Sequence, residues 1–344
     1  LLLNHFGTKS LKGFGVDKLD LGVIAEGAAL HYLNETQHNK VSHISAINRI
    51  EEDHFVWMDH FTIRNLELIR STGINGVSLL DILDQTVSPM GARMLRRWLV
   101  LPLKEQKAIQ DRLNIVDYFT HNGDISDELA LQIKQMGDLE RLISKVATAR
   151  ICPREVVQLK RALNAIIPVV DYCSKSGNKS LEALAAQLNP CDLIREKIAN
   201  ELQDEAPVQL IKGNVIAEGV SAELDELRNI STSAKEYLEQ IRVRESEASG
   251  IPSLKISFNN VFGYYLEVRN SHKDKVPEEW IRKQTLVNAE RYITEELKEL
   301  EVKILSANDK ILALEQGLFN DVVMSLMDYV QVVQRNSQLI ARVD

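Results

Sequence analysis

The chain is poor in cysteine and in aromatic residues, and it contains no long apolar run. Its three cysteines, Cys152, Cys173 and Cys191, are odd in number and have no CxxC spacing, which argues against a zinc pattern and a disulfide framework. No apolar stretch approaches the roughly 20 residues that span a bilayer, so we expect no membrane partner. Aromatic residues make up 6% of the 344 residues, whereas Leu, Glu, Lys, Ile and Ala are abundant, a composition that favours helices.

Sequence motifs for catalysis are absent as well. A phosphate-binding P-loop requires G-x-x-x-x-G-K-[ST], and the nearest string, at residues 172–180, has Gly177 followed by Asn178 where lysine is needed. There is no H-E-x-x-H and no G-x-S-x-G, and the eight histidines are scattered. We therefore predict that this chain is not an enzyme and that it holds neither a cofactor nor a metal ion.

The length of 344 residues exceeds a single ordinary core and predicts two or three domains. The chain begins without Met, and we expect it to be a section of a longer protein, with residues 1–40 as the end of a preceding domain. Within this first segment, residues 27–34 predict a helix. Residues 41–60 have the pattern of short strands.

Helical signals dominate the chain after its first 60 residues. The apolar positions within residues 63–69 predict a short helix that Gly73 ends. Ser78 and Asp81 predict a capping box at the start of the next helix, and Pro89 suits the first turn of a third.

The last 120 residues are the most regular part of the sequence. Apolar residues from Leu224 to Ile241 recur at helical spacing and predict a long helix that ends near Gly250. A second long helix is predicted to begin near Asn288, with a heptad of apolar positions at Leu297, Leu300, Ile304, Ala307, Ile311, Leu314 and Leu318. Such a heptad also fits an ordinary core helix, but two long helices around an insertion favour an antiparallel pair that carries the insertion at its tip.

The insertion, residues 253–292, is the cationic part of an acidic chain. It holds seven basic and five acidic residues, whereas the whole chain has a formal net charge of -8. Alternating residues on both sides of Asn259-Asn260 predict a β-hairpin. Residues 282–291 then combine basic and amide side chains of the types that contact phosphates. The alternative is a solvated polar surface, which is the ordinary state of charged clusters.

A second basic cluster consists of Arg93, Arg96 and Arg97. Arg93 and Arg97 are four residues apart and share one face of a helix. We expect this cluster to pair with acidic neighbours rather than to form a ligand site.

Several stretches of the chain resemble motifs of MutS, the family of bacterial DNA mismatch recognition proteins. In chain order they are DHFTIRNLEL at 59–68, SLLDILDQTVSPMGARMLRRWL at 78–99, GDLER at 137–141, FNNVFGYY at 258–265 and RKQTLVNAERY at 282–292. The stretches follow the family order with fitting gaps and cover nearly the whole chain.

The resemblance implies a mainly α fold: a multi-helix core with long antiparallel lever helices that carry a small β-rich clamp domain at the tip. Residues 1–40 would end the connector domain, residues 41–234 and 295–344 would form the core and lever, and residues 235–294 would form the clamp. The clamp of this family touches the DNA backbone without reading sequence. The resemblance therefore implies backbone contacts at six residues, Lys255, Arg282, Lys283, Gln284, Asn288 and Arg291, and sheet packing for Tyr264 and Tyr265.

The resemblance also implies partners. These are double-stranded DNA, a second copy in the full-length protein and a MutL-like repair protein, in the bacterial cytoplasm at the nucleoid. ATP and magnesium belong to an ATPase domain, and mismatch reading to another domain, neither of which has its motifs in this chain. The competing hypothesis is a helical coiled-coil scaffold whose arm docks a protein partner. The basic insertion with its alternating strands favours the DNA clamp.

Overall fold

A computed structural model describes residues 1–16, 19–37, 41, 44, 47, 52–259, 261 and 263–344. The described chain forms two compact units. The first unit comprises Leu1–Val208 together with Asp321–Asp344, and the second comprises Gln209–Asn320. These units do not test the predicted domain bounds, which stay a prediction.

The first unit is built from α-helices. Their bounds are Leu2–His5 (α1), Asp20–Gln37 (α2), His60–Asn65 (α3), Leu79–Leu83 (α4), Pro89–Val100 (α5), Gln106–His121 (α6), Gly123–Met136 (α7), Leu139–Ala147 (α8), Pro153–Ser174 (α9), Lys179–Ala185 (α10), Asp192–Glu201 (α11) and, after the second unit, Val330–Val343 (α14). The long helix α9 is the centre of the core, because α7, α8, α10 and α11 all pack against it. Its most deeply buried side chains are Val156, Leu159, Ala162, Leu163, Ile166 and Val169.

Local signals set the starts of α4 and α5, as predicted. Ser78 and Asp81 form the capping box of α4, with both reciprocal hydrogen bonds present. Pro89 occupies the first turn of α5, and the Ser88 hydroxyl accepts a hydrogen bond from the Gly91 amide. These bonds satisfy N–H groups that a helix start would otherwise leave without a partner.

The second unit contains the long helix Ala222–Ser249 (α12), a small sheet and most of the long helix Glu295–Met327 (α13). The strands are Lys255–Asn259 (β1), Gly263–Arg269 (β2), Ile281–Thr285 (β3) and Ala289–Ile293 (β4). They form one antiparallel sheet in the order β1-β2-β4-β3, so β1 and β3 are its edges. The mainly α fold with a small β insertion is therefore confirmed.

The predicted start of the second long helix near Asn288 is wrong. Residues 289–293 form strand β4, and α13 begins at Glu295. The sequence Ala-Glu-Arg has good helix propensity, but β4 is the central partner of both β2 and β3, and this pairing outweighs local preference. Arg291 is consequently a strand residue and not a residue of the second long helix.

Predictions near the start of the chain also needed correction. The helix α2 spans 18 residues and is longer than the predicted segment 27–34. The helix α3 ends at Asn65, because Glu67 adopts a left-handed φ of 48° and its carboxylate accepts a hydrogen bond from the Thr72 amide at 2.8 Å. In the predicted strand region 41–60, residues 42, 43, 45, 46 and 48–51 lie outside the described residues. The described residues of this region contain no strand: residues 52–54 form a 3-10 turn, and Phe55 forms a single bridge to Leu103.

Candidate nucleic-acid interface

The helices α12 and α13 form an antiparallel pair. Arg244 on α12 contacts Glu296 on α13, Ser231 contacts Asn308 with 3.1 Å between Oγ and Oδ1, and Arg228 contacts Glu315 with 2.5 Å between Nη2 and Oε1. Residue numbers thus fall along one helix as they rise along the other. The 28 residues of α12 give a length of about 42 Å, which agrees with an arm that carries the inserted sheet.

One face of the sheet packs against this helix pair. A shared apolar core unites Leu238 and Ile241 of α12, Leu297 and Leu300 of α13, and Leu254, Leu266, Val268, Trp280 and Tyr292 from the insertion. Tyr264 packs against the same core, and Tyr265 is only 5% exposed. Both tyrosines therefore pack the sheet, as expected.

The first hairpin is held to α13 by a carboxylate. The Tyr264 amide donates a hydrogen bond of 2.8 Å to Glu301 Oε2. Gly263, with a φ of 75°, lies beside this bond, and a Cβ atom at Gly263 would overlap the Glu301 carboxylate. The predicted turn at Asn260 lies outside the described residues, as does Phe262. The antiparallel pairing of β1 with β2 confirms the hairpin itself.

The edge strand β3 carries Arg282 and Lys283, two of the six predicted contact residues. The pairing of β3 with β4 shifts register between Arg282 and Gln284, so Lys283 is the extra residue of a β-bulge. Lys283 is exposed and has neither an ion pair nor a side-chain hydrogen bond with the described residues. Its ammonium group is therefore available to a ligand.

Arg282 is exposed but has a carboxylate neighbour. Its Nη1 lies 3.3 Å from Oε1 of Glu290, a residue with only 3% exposure. The same Oε1 lies 3.7 Å from Nζ of Lys273, and the Tyr292 hydroxyl donates a hydrogen bond to Oε2. This hydroxyl, with Lys273 and Arg282, holds the pKa of Glu290 below its usual range. The carboxylate is therefore ionised near neutral pH.

Arg291 is engaged within the sheet. Its Nε donates to Glu267 Oε2 at 3.2 Å, its Nη1 donates to Gln284 Oε1 at 2.8 Å, and its guanidinium carbon lies 4.5 Å from the centre of the Tyr265 ring. The side chain of Arg291 is 19% exposed. Arg291 and Gln284 therefore stabilise the pairing of β3, β4 and β2 before any ligand binds.

The six predicted residues do not form one compact cluster. Lys255 lies on β1 and Arg282 on β3, at opposite edges of the sheet. Three strand spacings separate these edges, about 14 Å. Asn288 is exposed beside the β3–β4 turn, close in sequence to the β3 cations. The arrangement is a broad polar surface that suits an extended polyanion better than a small ligand.

Sequence reasoning missed three residues at one end of this surface. Arg269 is exposed at the end of β2, opposite Ala289 of β4. Asn270 donates from its side chain to the Val287 carbonyl at 2.9 Å and from its amide to the Asn288 carbonyl at 3.1 Å. These bonds join the 3-10 segment that contains Lys273 to the β3–β4 turn. The only sequence feature that pointed to these residues was the basic content of residues 269–275, a segment without helical or strand periodicity.

The second basic cluster has a structural role at Arg93, as predicted. Its guanidinium binds Asp138 through two bonds of 2.8 and 3.0 Å and also binds Glu140 at 2.6 Å. Asp138 also caps α8, accepting from the Arg141 amide at 3.2 Å. Two of the sequence motifs, at 78–99 and 137–141, therefore meet in one ion-pair cluster.

The described part of the chain offers neither a metal site nor a membrane-spanning helix. No group of three or more His, Cys, Asp and Glu residues there is arranged to hold a metal ion. No helix within the described ranges is both long and apolar enough to cross a membrane. All three cysteines are free thiols, and burial raises the pKa of Cys173 and of Cys191 to about 11.

The fold and this surface define a class: helical proteins in which an antiparallel helix pair carries a small cationic sheet. Residues 61–344 match MutS domain III. The chain is 58% identical over 343 residues to the DNA mismatch repair protein MutS of Parabacteroides distasonis, 60% identical over 343 residues to that of Flavobacterium psychrophilum and 52% identical over 344 residues to that of Cytophaga hutchinsonii. The chain belongs to the MutS family.

These matches cover 100% of this chain but 39%, 40% and 40% of the respective relatives. The chain thus spans about two fifths of the length of the curated relatives it matches. The small sheet, β1–β4, is called the clamp sheet below.

Proposed function

We propose that this chain is the core, lever and clamp section of a DNA mismatch repair protein, and that its clamp sheet binds the backbone of duplex DNA without reading sequence. The match to MutS domain III, together with whole-chain identity to proteins named for DNA mismatch repair, supports this function. The observation that carries the binding surface is the exposed pair Arg282 and Lys283 on an edge strand of a firmly anchored sheet.

The proposed role of each side chain follows from its contacts. Lys283, Lys255 and Asn288 are exposed and would meet phosphates directly. Arg282 uses one of its five N–H donors on Glu290 and keeps the others for a phosphate oxygen. Gln284 and Arg291 contribute by fixing the strands that carry these groups.

The proposal extends to the wider protein. Catalysis, ATP and magnesium are assigned to an ATPase domain outside these 344 residues, so the chain itself is proposed to be non-catalytic. A second copy of the full-length protein would supply a second clamp, and a MutL-like protein would be the repair partner. We place this assembly in the bacterial cytoplasm at the nucleoid. The proposed division is connector end 1–40, core and lever 41–234 and 295–344, and clamp 235–294.

Fluorescence anisotropy of this chain on matched and mismatched duplexes, over a series of salt concentrations, tests the proposal. The double variant Arg282→Ala/Lys283→Ala should weaken binding and reduce the log–log salt slope by between about 0.9 and 1.8, since one phosphate contact contributes about 0.9 and Arg282 already shares its charge with Glu290. A mismatch should make no difference, because the sheet meets only the backbone.

The matched control is Lys107→Ala/Arg154→Ala, which removes one exposed lysine and one exposed arginine from the first unit. This control should bind like the unaltered chain. Equal losses in both double variants would show a general charge effect and contradict the assigned surface. Absence of DNA binding at low salt would favour the protein-docking arm instead.

A further inference from the structure

The clamp sheet contains a buried carboxylate beneath two exposed cations. The side chain of Glu290 is 4% exposed, whereas those of Arg282 and Lys273 are 57% and 56% exposed. One carboxylate oxygen contacts both cations, and the other accepts the hydrogen bond from Tyr292. Glu290 therefore cannot turn away to solvent, while both cations can move toward a ligand.

This arrangement is not the simplest way to build the sheet. Burial of a charge is unfavourable unless good partners surround it, and a well-packed apolar residue often stabilises as much as a buried ion pair. Glu290 lies opposite Val268 on β2, on the face that contributes to the apolar core. An apolar side chain at position 290 would continue this face, so packing alone gives no reason for a carboxylate.

The charge of Glu290 acts on the DNA surface through its neighbours. Arg282 and Lys273 would offer two positive charges to one stretch of phosphates, but the shared carboxylate of Glu290 reduces the net charge of the three side chains to +1. Lys283 has no carboxylate partner among the described residues. The edge strand thus places a compensated cation, Arg282, directly beside an uncompensated one.

We propose that Glu290 is a positioning residue that holds Arg282 and Lys273 side by side and, as a fixed counter-charge, limits the strength with which the clamp sheet holds DNA. This inference rests on the proposed function, since it concerns the same DNA-binding surface. The consequence is a clamp sheet that holds DNA less tightly than its cations alone would.

The test is Glu290→Gln in the 344-residue chain, measured by anisotropy on a matched duplex over a salt series. Glutamine keeps the size of the side chain and an acceptor for Tyr292, but removes the charge. Binding should become tighter, and the salt slope should steepen by about 0.9. The affinity gain over the unaltered chain should grow about 3.5-fold as salt falls from roughly 200 to 50 mM.

Two controls separate this effect from other causes. Glu279→Gln removes an exposed charge from the same module, at a residue without an ion pair in the described structure, and should leave the slope nearly unchanged. Tyr292→Phe removes the hydroxyl but keeps the carboxylate, and should also preserve the slope. If the role of Glu290 were purely structural, Glu290→Gln would lower the thermal stability of the chain without steepening the salt slope.

A second comparison applies even if Glu290→Gln fails to fold. Lys273→Ala should reduce the salt slope clearly less than Lys283→Ala, because Glu290 already compensates Lys273. Equal reductions, or a Glu290→Gln chain that folds but binds DNA no more tightly, would overturn the inference. The proposed function stands even when the inference about Glu290 fails, provided that the unaltered chain binds DNA and Lys283→Ala weakens this binding. If the unaltered chain does not bind DNA, the proposed function and the inference are both wrong.

Discussion

Replacement of Gly263 by alanine tests how the clamp sheet is fixed to its helix. Gly263 has a φ of 75°, a conformation that costs an L-residue about 1–2 kcal/mol. The new methyl group would also displace the Glu301 carboxylate from the Tyr264 amide. Loss of a hydrogen bond to a charged group costs about 1.5–3 kcal/mol. The total predicted loss in the free energy of unfolding is therefore about 2.5–5 kcal/mol.

Gly219 supplies the matched control for this prediction. It lies in the same unit, has a φ of 86°, and a Cβ atom there would meet nothing within 4 Å. Gly219→Ala should therefore cost only the backbone strain, about 1–2 kcal/mol. Urea unfolding of both variants can be followed by fluorescence of Trp280, which is 4% exposed in the sheet core, in a chain where Trp57 and Trp98 are replaced by Phe.

The double variant Gly263→Ala/Glu301→Ala completes the cycle. In the Glu301→Ala background the methyl group has no carboxylate to displace, so Gly263→Ala should cost about as much as Gly219→Ala. Equal losses for the two glycine substitutions in the unaltered background would refute the role assigned to Glu301.

Two further predictions concern ion pairs in each unit. Arg228→Ala should destabilise the second unit by about 3–5 kcal/mol in urea unfolding, because Glu315 is 0% exposed and would become an unpaired buried charge; a loss below 1 kcal/mol would contradict this. In the first unit, Arg93 holds the pKa of Asp138 below its usual range. The stabilisation by this pair is therefore complete above the pKa of Asp138 in the unfolded chain, about 4. It disappears as pH falls through the lower pKa that Asp138 has in the folded chain. The stability difference between the unaltered chain and Arg93→Ala, measured by thermal unfolding from pH 7 to 2.5, should therefore shrink on the acid side, and a constant difference would count against the pair.

Short-range signals in the sequence were sufficient for many elements of the fold. The capping box at Ser78 and the end of α12 at Gly250 depend on residues within one helical turn of each other. The heptad of α13 correctly identified the buried positions Leu297, Leu300, Ile304 and Ala307, whereas its last three positions, Ile311, Leu314 and Leu318, are only half-buried. Local chemistry decides such features, so one segment contains enough information to predict them.

Features that depend on distant partners were missed. Strand β4 forms because β2 and β3 lie on both sides of it, although its own residues suit a helix. Glu315 falls outside the apolar heptad, yet it is fully buried because Arg228 and the Val215 amide come to it from elsewhere in the second unit. The sharing of Glu290 by Arg282 and Lys273 likewise requires three segments to meet. No spacing along the chain indicates these contacts.

The position of Arg282 and Lys283 on an edge strand has a consequence for solubility. An edge strand offers unpaired N–H and C=O groups to any other strand that approaches, and Ile281 on β3 is 57% exposed. Adjacent positive charges and a β-bulge are two devices that natural sheets use against such pairing. The two cations therefore repel a second clamp edge from the strand that they present to DNA. Substitutions that neutralise them remove this protection, so self-association of such variants belongs among their expected properties.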